Sequence, residues 1–291
     1  MLESLINKIC AWLGMLPLEC MQYHFMQMAL LALLLIAPLT AAAGVQVINF
    51  RMAFFADTIG HSAFAGAALG LLLLGHDGPL WSMPLLAMLI GLGVMWLKNS
   101  SKLSADTVIG IFFAFIVSGG LLLTSRSHEL GHMAQSFIFG DILLVSSEDI
   151  IMLAILNVIY LFFNILCSNR MLLIAIDEDL ARSCRIKTTL CSYLHIVLLA
   201  LIVIMSIKAS GVLLAGALLI VPAATARNLA GRAGSVVLYA VTAGSVAAVA
   251  GLFISVNEQV NTASGATIVM VGCLLFAVSC AVKAVRSRLV K

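Results

Sequence analysis

Nonpolar residues in this chain gather in long runs broken by short polar segments. The runs fall at about 27–49, 53–75, 79–97, 106–124, 149–167, 190–207, 209–226, 234–254 and 265–283. A helix that crosses a bilayer needs about 20 mostly apolar residues, so each run predicts one membrane span. Only Lys208 and its neighbours divide the sixth run from the seventh, which leaves eight or ten spans open beside nine. Strands of a membrane barrel would alternate polar and apolar residues over about 10 positions, and no such alternation occurs. A semi-polar stretch, Ser136 to Val145, reads as an interfacial or re-entrant helix. The predicted fold is all-α: a polytopic transmembrane helical bundle in which residues 1–291 make a single membrane domain, with no internal repeat and no long linker.

Composition agrees with the pattern. Of 291 residues, 63% are hydrophobic and 10% charged, whereas soluble domains carry about 25% charged residues. A soluble globular protein and a disordered chain are both excluded. Cytoplasmic loops are enriched in Lys and Arg near the ends of spans. Nine spans with the N-terminus outside place thirteen of the sixteen basic residues on one side and leave only Lys8, Arg126 and Lys208 on the other. The expected topology therefore has an extracytoplasmic segment at 1–26, a cytoplasmic loop at 168–189 and a cytoplasmic C-terminus. His24, His76, His128 and His132 then lie on the outer side. The N-terminus lacks a signal-peptide pattern, so the first run is expected to stay as a span. Basic residues are spread thinly, which argues against nucleic acid. Seven cysteines without a Cys-x-x-Cys pair read mostly as small apolar residues.

Ionisable groups inside a span cost about 2.5–3.5 kcal/mol on insertion scales, so they face a cavity or a partner. The second run carries two, Asp57 and His61. A spacing of four puts carboxylate and imidazole on one helix face, where both reach a single divalent cation. A pair that satisfies itself and pins the helix in the bundle is the plainer alternative. Ala63 with Ala67, and Gly66 with Gly70, allow close approach of a neighbouring helix. Asp106 opens the fourth run as a cap or first-turn carboxylate. His195, alone among Leu, Ile and Val, reads as a hydrogen-bonded interior histidine. Pro222 in the seventh run predicts a kink or break near Leu218, with Thr225 or water taking up the freed carbonyl.

The segment from Ala175 to Lys187 holds the densest charge, with Asp177, Glu178 and Asp179 leading Leu180, Ala181, Arg182, Arg185 and Lys187. Acids first and bases last suit a short helix along its dipole, and Glu178 is placed to pair with Arg182. A solvated loop helix and a docking element for a cytoplasmic partner both fit. His128-Glu129-Leu130-Gly131-His132 matches the His-Glu-x-x-His signature of zinc proteases and offers an intramembrane zinc metalloprotease as a remote alternative. It lies in an outer loop and lacks a convincing third ligand, although Asp141 is one candidate. A gentler reading makes His128 and His132 an outer patch that gathers metal near the pore.

Taken together, these segments resemble the permease subunits of bacterial ATP-binding-cassette importers for zinc, manganese and iron(II), most closely the zinc permease. The resemblance covers nearly the whole chain. It is carried by Phe50-Arg51-Met52 leading into Asp57 to Ala63, by Asp106 to Ile111, and by Phe139-Gly140-Asp141-Ile142-Leu143 with Val145 to Asp149. Gly211 to Arg227 and Ser264 to Val269 complete it. It implies a homodimeric pore in the cell inner membrane, two cytoplasmic ATPase subunits and an extracytoplasmic metal-binding protein. Asp57 and His61 would line the translocation path, and Asp177 to Ile186 would be the coupling helix. Relatives commonly have Gly near the end of that helix and Pro soon after, where this chain has Arg185 and Lys187. No Gly-x-x-x-x-Gly-Lys-Ser/Thr loop is present to cradle nucleotide phosphates, so ATP hydrolysis is expected in a partner. No permanently bound cofactor is expected; zinc, manganese or iron(II) would be the cargo.

Overall fold

The computed structural model describes residues 2–14, 19–75, 78–101, 103–125, 142–257 and 262–289. The helices are α1 (Leu2–Leu13), α2 (His24–Asn49), α3 (Phe55–Leu74), α4 (Gly78–Ser100), α5 (Ala105–Thr124) and α6 (Ser147–Ile176). They continue as α7 (Glu178–Ser183), α8 (Thr188–Ser210), α9 (Val212–Leu229), α10 (Val236–Val256) and α11 (Ser264–Leu289). Among the described residues there is no strand, and nine helices are long and apolar enough to cross a membrane. Each of the nine coincides with one apolar run. The short helix α1 is an addition that the apolar runs do not announce.

Local chemistry fixes the helix ends. At the start of α6, the Ser146 hydroxyl accepts from the Asp149 amide while the Asp149 carboxylate accepts from the Ser146 amide, a reciprocal capping box. Ser104 caps α5 by accepting from the Thr107 amide, so Asp106 is the first-turn carboxylate and not the cap. The sixth and seventh runs part at Gly211, whose φ of 83° suits glycine far better than an L side chain. Lys208 itself belongs to the last turn of α8. Of the kink or break that the sequence predicts near Leu218, the break is absent: helix α9 runs continuously through Pro222. Thr225 donates to Val221 and not to the Leu218 carbonyl. Leu218, Leu219 and Pro222 are all buried, and this packing holds the helix across the one lost hydrogen bond.

The chain forms two compact units. One comprises Met1–Val45, Gly140–Asn157 and Lys208–Lys291; the other comprises Gln46–Phe139 and Val158–Ile207. In the first, α9, α10 and α11 pack against one another. Asn157 ties α6 to α2 by donating to the Leu35 carbonyl at 3.2 Å, and Lys208 pairs with Asp149 at 2.8 Å. In the second, α3 packs against both α4 and α5. Gly70 and Gly78 bring α3 and α4 so close that a Cβ on either would collide with the other's backbone. One turn away, the Ser82 hydroxyl donates to the Gly66 carbonyl at 2.7 Å. The expected small-residue contact of α3 is therefore present, with α4 as its partner.

Candidate functional site

Asp57 and His61 stand on the first two turns of α3, within the second unit. The chain reaches them through a tight reversal. The Met52 amide donates to the Val47 carbonyl and the Arg51 amide to that of Ile48, which ends α2 with Arg51 in the left-handed region at φ 56°. Phe55, Ala56, Thr58, Ile59, Gly60, Ser62 and Ala63 are all buried, whereas Asp57 and His61 are only partly covered. The hydroxyls that follow each of them are spent within the helix: Thr58 donates to Phe54 and Ser62 to Ile59. Hence the single row of this stretch left open carries the carboxylate and the imidazole.

The pair is not locked together. Among the described residues the ion pairs are Glu178–Arg182 and Asp149–Lys208, so Asp57 and His61 make no ion pair with each other. The His61 ring rests edge-on against Phe113 of α5, with centroids 5.0 Å apart. Phe113 had no signal in the sequence beyond its place in an aromatic run. Among the described residues no three His, Cys, Asp or Glu side chains converge on one point, so this chain brings two such groups to the α3 row.

The charged segment forms the short helix α7. Asp177 caps it, its carboxylate accepting from the amides of Asp179 and Leu180 at 3.0 Å each. Glu178 and Arg182 pair at 2.7 Å, as their spacing predicts. The Ile186 amide donates to the Ala181 carbonyl and the Arg185 amide to that of Arg182. These bonds make a Schellman ending in which Arg185, at φ 57°, occupies the place usual for glycine. Ala181 is buried, while Leu180 and Ile176 are exposed beside the acids. The segment therefore offers a mixed apolar and acidic surface.

Other expectations resolve differently. His195 is buried at 3% exposure, but among the described residues neither ring nitrogen has a hydrogen-bond partner, which corrects the reading of a hydrogen-bonded histidine. Its ring lies between those of Phe50 and Phe163, with centroids at 5.8 and 6.0 Å, so packing and not polar contact holds it. His128, Glu129, His132 and Asp141 lie outside the described residues, as does the start of the semi-polar stretch; its end holds a 3-10 turn, Ile142–Leu144.

Residues 22–283 match the ABC 3 transport family. The chain is 30% identical over 251 residues to the high-affinity zinc uptake system membrane protein ZnuB of Haemophilus influenzae, covering 86% of this chain and 95% of that protein. It is 31% identical over 261 residues to the manganese import system permease protein ScaB of Streptococcus parasanguinis, covering 89% and 90%. Among solved structures, PsaBC from Streptococcus pneumoniae in complex with Fab matches with a TM-score of 0.75 and 27% identity, covering 96% of this chain and 95% of that one.

Proposed function

Because the chain belongs to the ABC 3 transport family, we propose that it is the permease subunit of an ATP-driven metal importer in the inner membrane and that its cargo is a divalent transition metal, zinc first. The observation that carries the reading is the open Asp57–His61 row, flanked by buried neighbours and, among the described residues, outside the ion pairs. Two ligands from one chain suit a passing ion better than a stored one, since a structural zinc site closes with four. A second copy of the chain would contribute a second Asp57 and His61 across a shared path. An extracytoplasmic binding protein would deliver the ion, and α7 would seat on a cytoplasmic ATPase whose closure drives alternating access.

Manganese is the second reading, supported by the name of the Streptococcus parasanguinis relative at similar identity. Imidazole and carboxylate serve zinc, manganese and iron(II) alike, so ligand type does not choose among them. The deciding experiment is uptake by the complex reconstituted in liposomes, with zinc, manganese and iron(II) in competition. Zinc should be preferred, and Asp57→Asn and His61→Ala should each reduce uptake to background while the complex still assembles. Full uptake by either variant would remove that residue from the path.

A further inference from the structure

Helix α1 precedes the first span, and among its described side chains Ile6 and Cys10 form the covered edge. Ile6 and Cys10 are buried, and the Cys10 thiol rests on the Met28 sulfur at 3.7 Å. The next positions around the same apolar side, Ile9 and Trp12, are 39% and 80% exposed. On a helix of 3.6 residues per turn, Ile6, Ile9 and Trp12 step progressively away from the covered edge, while Asn7, Lys8 and Ala11 occupy the opposite side. The protein thus covers one edge of an apolar face and leaves the adjoining flank bare.

At 12 residues, α1 is about 18 Å long and too short to cross a hydrocarbon core of about 30 Å. Its docking point fixes its depth. Met28 lies four residues into α2, about 6 Å along that helix, which matches the 5–10 Å to which interfacial helices sink at the headgroup boundary. The same end of α2 presents Tyr23 and Phe25, 62% and 48% exposed, with rings stacked at 5.6 Å. Tyrosine and tryptophan concentrate at this level of a membrane. Lys8 sits one turn before Trp12, where its ammonium can reach a lipid phosphate while the tryptophan enters the acyl boundary.

We propose that α1 lies along the lipid interface at the start of α2 as a membrane-surface anchor, with Ile9 and Trp12 inserted among the lipids and Lys8 at the phosphates. The exposed Ile9 and Trp12 of α1, the exposed rings of Tyr23 and Phe25 at the start of α2 and the Lys8 ammonium are together what a phospholipid interface complements, apolar and aromatic groups for the acyl boundary and a cation for the phosphates. Both features select lipid over a second protein.

The test uses the full-length protein in nanodiscs that contain lipids brominated near the headgroup end of the acyl chain. Trp81→Phe and Trp96→Phe leave Trp12 as the sole tryptophan; both replaced rings are exposed, so no buried packing is lost. Emission from Trp12 should be quenched several-fold more strongly by the brominated lipid than by aqueous iodide. Subtracting the quenching of Trp12→Phe from that of the wild-type chain gives the same reading with the spans untouched. Stronger quenching by iodide would place Trp12 in water, and protection from both quenchers would place it against protein; either result overturns the proposal.

Discussion

The imidazole of His61 meets the ring of Phe113 edge-on, with planes at 88° and centroids 5.0 Å apart. Among the described residues no hydrogen bond aims the ring, and this contact is the aromatic restraint on one of the two proposed ligands. Such pairs contribute about 0.5–1.5 kcal/mol. Phe113→Leu should therefore raise the metal concentration for half-maximal uptake by about two- to tenfold, with the maximal rate little changed, and Phe113→Tyr should restore it. Initial rates measured across metal concentrations in proteoliposomes check this. An unchanged half-saturation would show that His61 is positioned by something else.

The sequence makes some of this legible because the physics is local. A run of about 20 apolar residues admits little besides a span, and a spacing of four places Asp57 and His61 on one row whatever surrounds them. The acidic start of the 177–182 segment likewise announces a helix and its Glu178–Arg182 pair. What escaped depends on tertiary context. The sequence divides α8 from α9 at Lys208, but the place of the division rests on the backbone angle of Gly211, a few residues on inside nearly continuous apolar sequence. Phe113 is one aromatic among several, and only the packing of α5 on α3 selects it. His195 was expected to find a polar partner, yet two aromatic rings surround it instead.

Arg185 closes α7 at φ 57°, a conformation that costs an L residue about 1–2 kcal/mol. Arg185→Gly removes that cost but loosens the unfolded chain, so it should leave stability unchanged or improve it by up to about 1 kcal/mol. Arg185→Val, β-branched, should lower the thermal midpoint of the purified subunit and weaken its recovery with the ATPase. Charge reversal at Glu178 or Asp179 should weaken that recovery while lowering the midpoint of the subunit alone only slightly, because the Glu178–Arg182 pair is exposed. Normal recovery and normal stimulated ATP hydrolysis by the reversed variants would remove α7 from the docking surface.

Lys208 and Asp149 join the last turn of α8 to the first turn of α6, with side chains 25% and 12% exposed. Partial burial strips water from both charges, so removing one leaves the other poorly compensated. Asp149→Asn keeps an oxygen to accept from the Ser146 amide and isolates the ion pair from the cap. Lys208→Met and Asp149→Asn should each destabilise, and the double variant should lose less than the sum of the two. The expected coupling is about 0.5–3 kcal/mol, read from thermal or denaturant unfolding in detergent. Strict additivity would show that the pair adds nothing to stability.

His195 is the reverse case, a polar group whose removal should help. Two buried ring nitrogens without partners cost about 1–3 kcal/mol each, and the flanking Phe50 and Phe163 rings return only part of it. A side chain of similar size without polar atoms escapes the penalty and still fills the space between the rings. His195→Leu should leave the thermal midpoint unchanged or raise it by about 2–4 °C, and metal uptake should persist. A marked fall in stability would show that the imidazole has a partner in the assembled protein. Lost uptake at normal stability would instead give His195 a direct part in transport.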